Sequence, residues 1–263
     1  MQKRNKIYFY NPHKDVEKLQ PLIELAEQND YRMVEQAADA NIIISVGGDG
    51  AFLQAVRKTG FRQDCLYAGI TEKDLSGLYC DFNMDNFDEM LETLQNEELE
   101  VRRFPVIDVL VNETSFHCLN ELSIRSSIIK TINIDVLIDD LHFETFRGDG
   151  LIVSTPTGST GYSKSTMGAV VDPLLGCYQV SEIASLNNNK YRTLGSSFIL
   201  GKERMLTLAL DEHEKDYPVI GLDNEAYSIQ NIKKIKVTLS DKVVKTVKLK
   251  NNSYWNRVKR TFL

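Results

Sequence analysis

Hydrophobic residues near the start of the chain fall into short continuous runs. The runs at Lys6–Tyr10, Asn41–Val46 and Cys65–Ile70 predict three strands, because uninterrupted apolar runs of this length are typical of a parallel sheet buried on both faces. Between the runs, apolar residues recur with the period of a helix. This alternation predicts an open α/β sheet, which binds its ligands at the carboxyl ends of its strands.

The predicted helices each carry one apolar stripe. The first includes Leu19–Ala26, with Pro21 in its first turn, where the missing N–H leaves no hydrogen bond unmade. A second helix is predicted at Ala51–Lys58. A third follows Asp85, which is expected to cap it.

The pattern changes near Val101, where short apolar segments separated by turn residues predict a mainly β domain. A helix is predicted within it at Tyr162–Val171. We therefore expect an α/β domain over residues 1–100, a β-rich domain over 101–235 and a C-terminal segment over 236–263. The predicted strands of this second part are Val106–Val111, Ser115–Ile124, Ile132–Ile138, Leu141–Phe146, Leu151–Ser154, Phe198–Leu200, Met205–Leu210, Val219–Leu222, Ile235–Leu239 and Val243–Leu249.

Composition narrows the range of functions. The net charge of −6 over 263 residues argues against nucleic acids and anionic membranes as partners. The four cysteines form no Cys-x-x-Cys pair, and the four histidines lack metal-ligand spacing, so we expect free thiols and no metal site. There is no signal-peptide core and no apolar run of membrane-spanning length. These features together predict a cytoplasmic protein.

The most informative motif is Gly47-Gly48-Asp49-Gly50, which lies between the second strand and the second helix. Glycines allow backbone amides to close around an anion, and a helix N-terminus adds a positive dipole end. Asp49 would repel a phosphate unless a cation lies between them or the carboxylate accepts a proton. The combination indicates phosphoryl transfer rather than passive dinucleotide binding.

Two shorter motifs also carry polar groups. Asn120-Glu121 places an amide beside a carboxylate, and such a pair can hydrogen-bond the two hydroxyls of a ribose. A polar pair on an exposed strand face is the simpler alternative. Arg147-Gly148-Asp149-Gly150 offers an arginine for a carboxylate or a phosphate, but by itself this motif is also typical of a turn.

The segment 154–165 is rich in hydroxyl side chains, contains two glycines and Lys164, and leads into a predicted helix. Hydroxyls and amides at a helix start suit a phosphate or a purine edge. The segment has neither the Walker A pattern nor that of a nucleophile elbow. We favour a binding loop over an ordinary capped loop.

Taken together, in this order and spacing, the four motifs resemble the NAD kinase family in its compact bacterial form, over nearly the whole chain. The resemblance implies a Rossmann-like N-terminal α/β domain, a mainly β C-terminal domain and a terminal segment that packs back on the first. It implies transfer of the γ-phosphoryl group of ATP, or of a phosphoryl group of polyphosphate, to the 2′-hydroxyl of the adenosine ribose of NAD. Mg²⁺ or another divalent cation would accompany ATP. The family's members are homo-oligomers, tetramers or dimers.

The resemblance also assigns roles to individual residues, and Asp49 matches the general base that deprotonates the ribose hydroxyl. No residue is assigned to a resident metal. In an oligomer, Tyr191 would serve a neighbouring subunit's ligand. The matching ligand-binding positions are Gly47, Gly48 and Gly50 in the phosphate-facing turn, Leu78 beside the adenine, Asn120 and Glu121 at the dinucleotide hydroxyls and base, Arg147 and Asp149 toward the nicotinamide, Thr157 in the hydroxyl-rich loop, Thr160, Gly161, Tyr162, Ser163, Lys164 and Ser165 in the adenine-binding segment, Ala184 and Tyr191 along the second half of the site, and Asn224 beside Asp223 late in the chain.

One segment departs from the family pattern. After the third strand the family shows Thr-Gly-x-Leu-Gly-Phe, with the aromatic ring near the adenine. Here the segment Thr71–Tyr79 is one residue longer, and Leu78 stands where Phe is expected. Leucine covers a base through apolar contact but cannot stack as an aromatic ring does. We expect this change to affect dinucleotide affinity more than the reaction.

Two alternative functions remain at this point. Gly-Gly-Asp-Gly also occurs in diacylglycerol-type lipid kinases, although the sequence shows no membrane-binding basic or amphipathic surface. The second alternative is a non-catalytic dinucleotide sensor on the same fold. Asp49 argues against the sensor, because a sensor needs no base.

Overall fold

The computed structural model describes residues 4–13, 15–72, 77–95, 100–210, 218–227, 229, 231–248 and 252–263. The chain up to Phe104 forms one compact unit with Val243–Leu263, and Pro105–Lys242 forms a second. The predicted domains end at residues 100 and 235. The boundaries between the two units lie four residues after the first of these positions and seven residues after the second. Both changes fall inside long strands, Val101–Val111 and Lys234–Val247, whose apolar patterns continue past the predicted boundaries.

The first unit is built on a parallel sheet. Its strands lie in the order β5-β4-β3-β1-β2, where β1 is Lys6–Tyr10, β2 Arg32–Met33, β3 Ile42–Val46, β4 Leu66–Thr71 and β5 Cys80–Asn83. Every residue of β3 is buried, as expected for a strand with neighbours on both edges and both faces covered. The helices of this unit are α1 Val16–Gln28, α2 Asp49–Lys58, α3 Phe87–Gln95 and the C-terminal α5 Tyr254–Phe262. The predicted open α/β sheet is confirmed.

Two helix starts differ from the prediction. Helix α1 begins at Val16, with Asp15 accepting from the Lys18 amide at 3.3 Å, so Pro21 lies in its second turn rather than its first. Asp85 does not cap α3. Instead Asn83 accepts from the amides of Asp85 and Asn86 and starts a short 3₁₀ turn that leads into that helix.

The second unit is mainly β, as predicted. One antiparallel sheet has the strand order β13-β12-β11-β8-β15-β16, and a second antiparallel ladder has the order β10-β9-β14-β17. An apolar cluster that includes Ile124 and Val153 from the first sheet and Val136 and Val237 from the second forms the core. The strands are β6 Val101–Val111, β7 Thr114–Cys118, β8 Glu121–Ser126, β9 Ile132–Ile138, β10 Leu141–Gly148, β11 Gly150–Ser154, β12 Cys177–Ile183, β13 Phe198–Gly201, β14 Leu206–Leu210, β15 Pro218–Leu222, β16 Glu225–Tyr227 and β17 Lys234–Val247.

Three sequence predictions in this part are wrong in detail. The predicted strand Ser115–Ile124 is two strands, β7 and β8, and the predicted strands on either side of Ser240 are one, β17. The predicted helix at Tyr162–Val171 is only α4, Tyr162–Ser165. It stops because Met167 adopts a left-handed conformation (φ 64°) and the Gly168 amide turns back to the Ser163 carbonyl at 2.9 Å.

Pro21 gives a direct test of the helix start. Pro21 is exposed and lies inside α1, where it removes one helical hydrogen bond. We expect Pro21→Ala to raise the free energy of unfolding by about 2 kcal/mol, since the regained helical bond outweighs the extra freedom of the unfolded chain. Urea denaturation measures this. Glu27→Ala, an exposed change in the same helix, is the control and should shift stability by less than about 0.5 kcal/mol. Equal effects of the two substitutions would place Pro21 outside the helix.

Candidate functional site

The glycine turn after β3 carries the chain directly into α2. Gly47 and Gly48 have φ values of 131° and 87°, which other residues rarely adopt. Their amides donate to the Ile70 carbonyl at 2.9 and 3.3 Å. Both N–H groups are therefore used inside the sheet. That this turn faces a phosphate stays a prediction. Gly47 and Gly50 are exposed, and Gly50 lies in the first turn of α2.

Asp49, the first residue of α2, has a carboxylate held by two successive backbone amides. Its Oδ2 accepts from the Leu78 N–H at 2.7 Å, and its Oδ1 accepts from the Tyr79 N–H at 3.0 Å. Gly77 lies directly against it, since a Cβ there would fall 2.3 Å from Oδ1. The side chain is only partly buried. The candidate base is therefore fixed in orientation while part of it still faces solvent.

Leu78 contributes to this arrangement through its backbone. Leu78 is only 8% exposed, so its side chain offers little surface, and its expected place beside an adenine ring stays a prediction. Its N–H group, which the sequence analysis did not consider, binds Asp49. Positions 73–76 of the altered segment lie outside the described residues.

In the second unit, a turn between β7 and β8 presents Asn120 and Glu121. The Asp223 carboxylate holds this turn by accepting from the amides of Leu119, Asn120 and Glu121 at 3.1, 2.7 and 3.3 Å. The Asp223 amide in turn donates to the Glu121 carbonyl at 2.9 Å. Asp223 therefore shapes the turn. The neighbouring Asn224 is exposed in the two-residue turn between β15 and β16.

Glu121 is a buried acid at the start of β8. It is 9% exposed, and its Oε2 has no hydrogen-bond partner among the described residues. Burial, followed by the nearby charge of Asp223, raises the pKa of its carboxyl to about 8. Ser154 lies opposite Glu121 on β11, and its buried hydroxyl also lacks a partner among the described residues. Two buried polar groups without partners among the described residues therefore lie opposite each other on neighbouring strands.

The hydroxyl-rich loop packs against this turn. The Thr155 hydroxyl donates to the Leu119 carbonyl at 2.6 Å and accepts from the Gly158 amide at 2.9 Å. Gly158 has no room for a side chain, since a Cβ would fall 2.1 Å from the Asn120 carbonyl oxygen. Gly161 is exposed and lies beside the Glu121 carboxyl, because a Cβ there would be 3.2 Å from Oε2. The loop thus forms one wall beside Glu121.

Several residues of this loop that were predicted to bind a ligand have hydroxyls that bond within the fold. The Thr160 hydroxyl donates to the Thr157 carbonyl at 3.0 Å, and the buried Thr157 hydroxyl lies 3.4 Å from that of Thr155. The Ser163 hydroxyl accepts from Gln179 at 2.7 Å and is fully buried. Tyr162 is half-buried with Arg125 over its ring, whereas Lys164 and Ser165 are exposed.

The Gly148-Asp149-Gly150 motif lies at the junction of β10 and β11. A Cβ on Gly148 would fall 2.9 Å from the Ala184 carbonyl oxygen, and one on Gly150 would fall 2.1 Å from that of Ile124. Close backbone approach, rather than a ligand, therefore requires both glycines. Asp149 itself is exposed.

Arg147 and Tyr191 form a pair nearby. The Arg147 guanidinium donates to the Tyr191 hydroxyl and lies 4.5 Å from the centre of its ring, and its Nε donates to Thr131 at 3.1 Å. Exposed Ala184 adopts φ 46°, and its carbonyl oxygen lies close to Gly148. The structure thus brings together Arg147, Ala184 and Tyr191, which lie far apart in the sequence.

Sequence reasoning missed the groups that hold these side chains in place. The amides of Leu78 and Tyr79 and the carboxylate of Asp223 were not predicted in these roles. Within the described part of the chain, no three His, Cys, Asp or Glu side chains are grouped as a metal site would require. No helix in the described ranges is long and apolar enough to cross a membrane.

Comparison with known proteins identifies the family and proteins of similar fold. The family model for the ATP-NAD kinase C-terminal domain matches residues 119–249. The fold resembles the crystal structure of yeast NADH kinase complexed with NADH (TM-score 0.83, 15% identity, 98% of this chain and 87% of that chain). It also resembles an NAD kinase from Archaeoglobus fulgidus in complex with ATP (TM-score 0.78, 22% identity, 97% and 99%).

Curated relatives match the chain from end to end. The protein named NAD kinase 2 of Oceanobacillus iheyensis is 60% identical over 264 residues, covering 100% of this chain and 99% of the relative. The protein of the same name from Bacillus subtilis is also 60% identical, with the same coverage. At this identity over its full length, the chain belongs to the NAD kinase family.

Proposed function

We propose that this protein transfers the γ-phosphoryl group of ATP to the 2′-hydroxyl of the adenosine ribose of NAD, which yields NADP. Full-length relatives at about 60% identity are named NAD kinase 2. The observation that carries the chemistry is the Asp49 carboxylate, partly exposed at the start of α2 and oriented by the amides of Leu78 and Tyr79. It supplies the base that such a reaction needs.

A ribose hydroxyl is a poor nucleophile at neutral pH, so the attack requires a group that takes its proton. Each Asp49 oxygen accepts from one backbone N–H, and the Cys80 thiol also hydrogen-bonds this carboxylate. A remaining lone pair on the exposed part of the side chain would accept the ribose hydroxyl. As the oxygen attacks the γ-phosphorus, the proton passes to Asp49 and the bond to the β-phosphate oxygen of ATP breaks. ADP leaves with that oxygen.

Glu121 and Asn120 are proposed to bind dinucleotide hydroxyls. With a pKa of about 8, the Glu121 carboxyl is mostly protonated near neutral pH, so it can both donate and accept a hydrogen bond. A ribose hydroxyl offers the same combination. The unpartnered oxygen of Glu121 and the hydroxyl of Ser154 would find partners on the ligand.

The remaining site residues are proposed to bind the two ends of the dinucleotide. Arg147, Ala184 and Tyr191 lie together and suit the nicotinamide half, with exposed Asp149 beside them. Lys164 and Ser165 present exposed polar groups for the adenine end. Thr157, Thr160 and Ser163 would act by shaping the loop, since their hydroxyls bond inside it.

We propose that a divalent cation, Mg²⁺ in the simplest case, enters with ATP as part of the substrate. The described residues hold no group of three metal-ligating acids, histidines or cysteines, so phosphate oxygens and water would provide most of its ligands. This fits Mg²⁺, which keeps several waters and binds proteins through one or two carboxylates. The cation would neutralise charge on the transferred phosphoryl group.

The two alternatives from the sequence are not favoured. Neither a lipid kinase nor a dinucleotide sensor accounts for relatives that match the full length at about 60% identity and are named NAD kinases.

We further propose that the protein is a cytoplasmic homo-oligomer, a tetramer or a dimer. Four buried free thiols suit a reducing compartment. Light scattering on the purified protein would give the oligomeric state.

The first prediction from the proposed function concerns the base. We expect Asp49→Asn to lower kcat for NADP formation by about 10²- to 10⁴-fold, because the amide cannot take the hydroxyl proton. The substitution keeps the size of the side chain and one oxygen to accept an N–H. The assay couples NADP to an NADP-specific dehydrogenase.

Calorimetry with NAD provides the control, and it should show unchanged binding by Asp49→Asn. A variant that turns over at the wild-type rate would remove Asp49 from the mechanism. A wild-type protein that ignores NAD but phosphorylates diacylglycerol would instead support the lipid kinase alternative.

The second prediction follows from the raised pKa of Glu121. The folded protein keeps a proton on Glu121 between pH 4.5 and about 8, whereas the unfolded chain has lost it. The difference in proton binding contributes to the free energy of unfolding. The contribution is complete below pH 4.5 and is lost as the pH rises through about 8. Glu121→Gln lacks the titration, so its free energy of unfolding should rise relative to wild type across this window, by up to about 1.4 kcal/mol per pH unit.

Urea denaturation at several pH values between 5 and 9 measures this difference. Glu92→Gln removes one acid from an exposed position of α3 and is the matched control. If the wild-type and Glu121→Gln curves run parallel, the carboxyl of Glu121 is not held protonated by the fold.

A further inference from the structure

The C-terminal helix α5 directs two arginines at the segment that holds Asp49. Arg257 is fully buried, and Arg260 is exposed three residues later. Residues at this spacing lie on the same side of a helix. Both guanidinium groups contact backbone carbonyls of the segment Gly77–Tyr79.

Arg257 and Asp49 bind opposite ends of one peptide group. The Arg257 Nη1 donates to the Leu78 carbonyl oxygen, and the Tyr79 N–H donates to Asp49 Oδ1 at 3.0 Å. The Leu78 carbonyl and the Tyr79 N–H belong to the same planar peptide unit, in which they point in opposite directions. The arginine therefore fixes the direction of the N–H that holds the carboxylate.

Arg260 repeats the arrangement one peptide earlier. Its Nη2 donates to the Gly77 carbonyl oxygen at 3.1 Å, while the Leu78 N–H donates to Asp49 Oδ2 at 2.7 Å. Each carboxylate oxygen is thus linked through one peptide group to one arginine. Hydrogen bonds in such chains polarise and strengthen each other, more strongly where water is excluded, as at Arg257.

The environment of Arg257 is costly for a charge. Its Nε and Nη2 have no hydrogen-bond partner among the described residues. Asp81 lies 4.0 Å from its Nη1, but that carboxylate is already bonded by Arg102 at 2.9 Å. Burial, and then the like charge of Arg102, lower the pKa of Arg257 to about 10. Desolvation of a buried, incompletely paired guanidinium can cost more free energy than its contacts return, so a stabilising role alone does not account for Arg257.

We propose that Arg257, assisted by Arg260, is a positioning residue for Asp49 and acts through the two peptide groups of Gly77–Tyr79. The inference rests on the proposed function, in which Asp49 takes the proton of the ribose hydroxyl. The simplest competing role is packing, because the Arg257 guanidinium lies 5.4 Å from the ring centre of Phe104 and 6.0 Å from that of Tyr254.

Kinetics on four variants separates the two roles. We expect Arg257→Met, which keeps the apolar stem, to lower kcat by about 10- to 100-fold, the scale of a misplaced catalytic group, with KM for NAD nearly unchanged. Arg257→Lys should recover part of the loss. Arg260→Gln should show a smaller loss, because its exposed bond competes with water. Lys259→Gln removes an equal charge from an exposed position of α5 and should have no effect.

A double-mutant cycle tests whether Arg257 acts through Asp49. In the Asp49→Asn background, Arg257→Met should cost little further activity, because the group that it positions is gone. An equal loss in both backgrounds would overturn the proposal. A folded Arg257→Met variant with wild-type kcat would overturn it as well.

A spectroscopic readout needs no activity. Labelling with ¹³C′-Leu and ¹⁵N-Tyr selects the Leu-Tyr peptides, which in this sequence are Leu66-Tyr67 and Leu78-Tyr79. In Arg257→Met the Tyr79 amide proton should move upfield as its bond to Asp49 weakens, while Tyr67 serves as the internal reference. An unmoved Tyr79 signal would contradict the proposal, whether or not the protein phosphorylates NAD.

Arg260→Gln keeps the test open if Arg257→Met does not fold, because Arg260 is exposed. Labelling with ¹³C′-Gly and ¹⁵N-Leu reports the Leu78 amide, with Leu151 and Leu222 as references. The Leu78 signal should shift and kcat should fall by about 2- to 5-fold, the scale of one weak hydrogen bond. If the Leu78 signal stays in place and kcat is unchanged, the proposal is overturned. A wild-type protein inactive on NAD would instead remove the proposed function and leave the amide measurements valid.

Discussion

Two hydrogen bonds from successive peptide N–H groups to one carboxylate are the interaction on which the proposed chemistry depends. They join the start of α2 to a segment 29 and 30 residues later, so Asp49 cannot turn freely even though part of it faces solvent. A base must be held within hydrogen-bond reach of its proton before its acidity matters. Backbone donors suit this task, because a peptide group has no side-chain rotamers to lose. The absence of a side chain at Gly77 leaves the carboxylate the space that it needs.

The local part of this arrangement could be predicted from the sequence. A fully buried run followed by glycines at positive φ dictates strand, turn and helix, and so places Asp49 at the start of α2. The groups that hold the carboxylate could not be predicted in the same way. The amides of Leu78 and Tyr79 carry no sequence signal, since every residue except proline has one. Arg257 lies in a basic tail whose charges suggest an exposed surface, and only the tertiary fold buries it.

In the second unit, too, the sequence did not predict which side chains bond within the fold. A high density of hydroxyls between Ser154 and Ser165 suggested ligand contacts, yet Thr157, Thr160 and Ser163 bond within the fold. Hydroxyls bind a ligand or their own backbone equally well, so composition does not separate the two uses. Asp223 is the opposite case, because it acts by holding the Asn120-Glu121 turn through three amides more than 100 residues away. What the turn presents, a buried carboxyl with an unpartnered oxygen, only becomes visible in three dimensions.

The central claim is that Asp49, in the orientation set by Leu78 and Tyr79, accepts the proton of the adenosine 2′-hydroxyl. A crystal structure of the protein with bound NAD tests it most directly. The account predicts that an Asp49 oxygen lies within about 3 Å of the 2′-oxygen while both backbone hydrogen bonds are kept. A bound ribose whose 2′-oxygen is out of reach of Asp49, or is paired with another base, would contradict it.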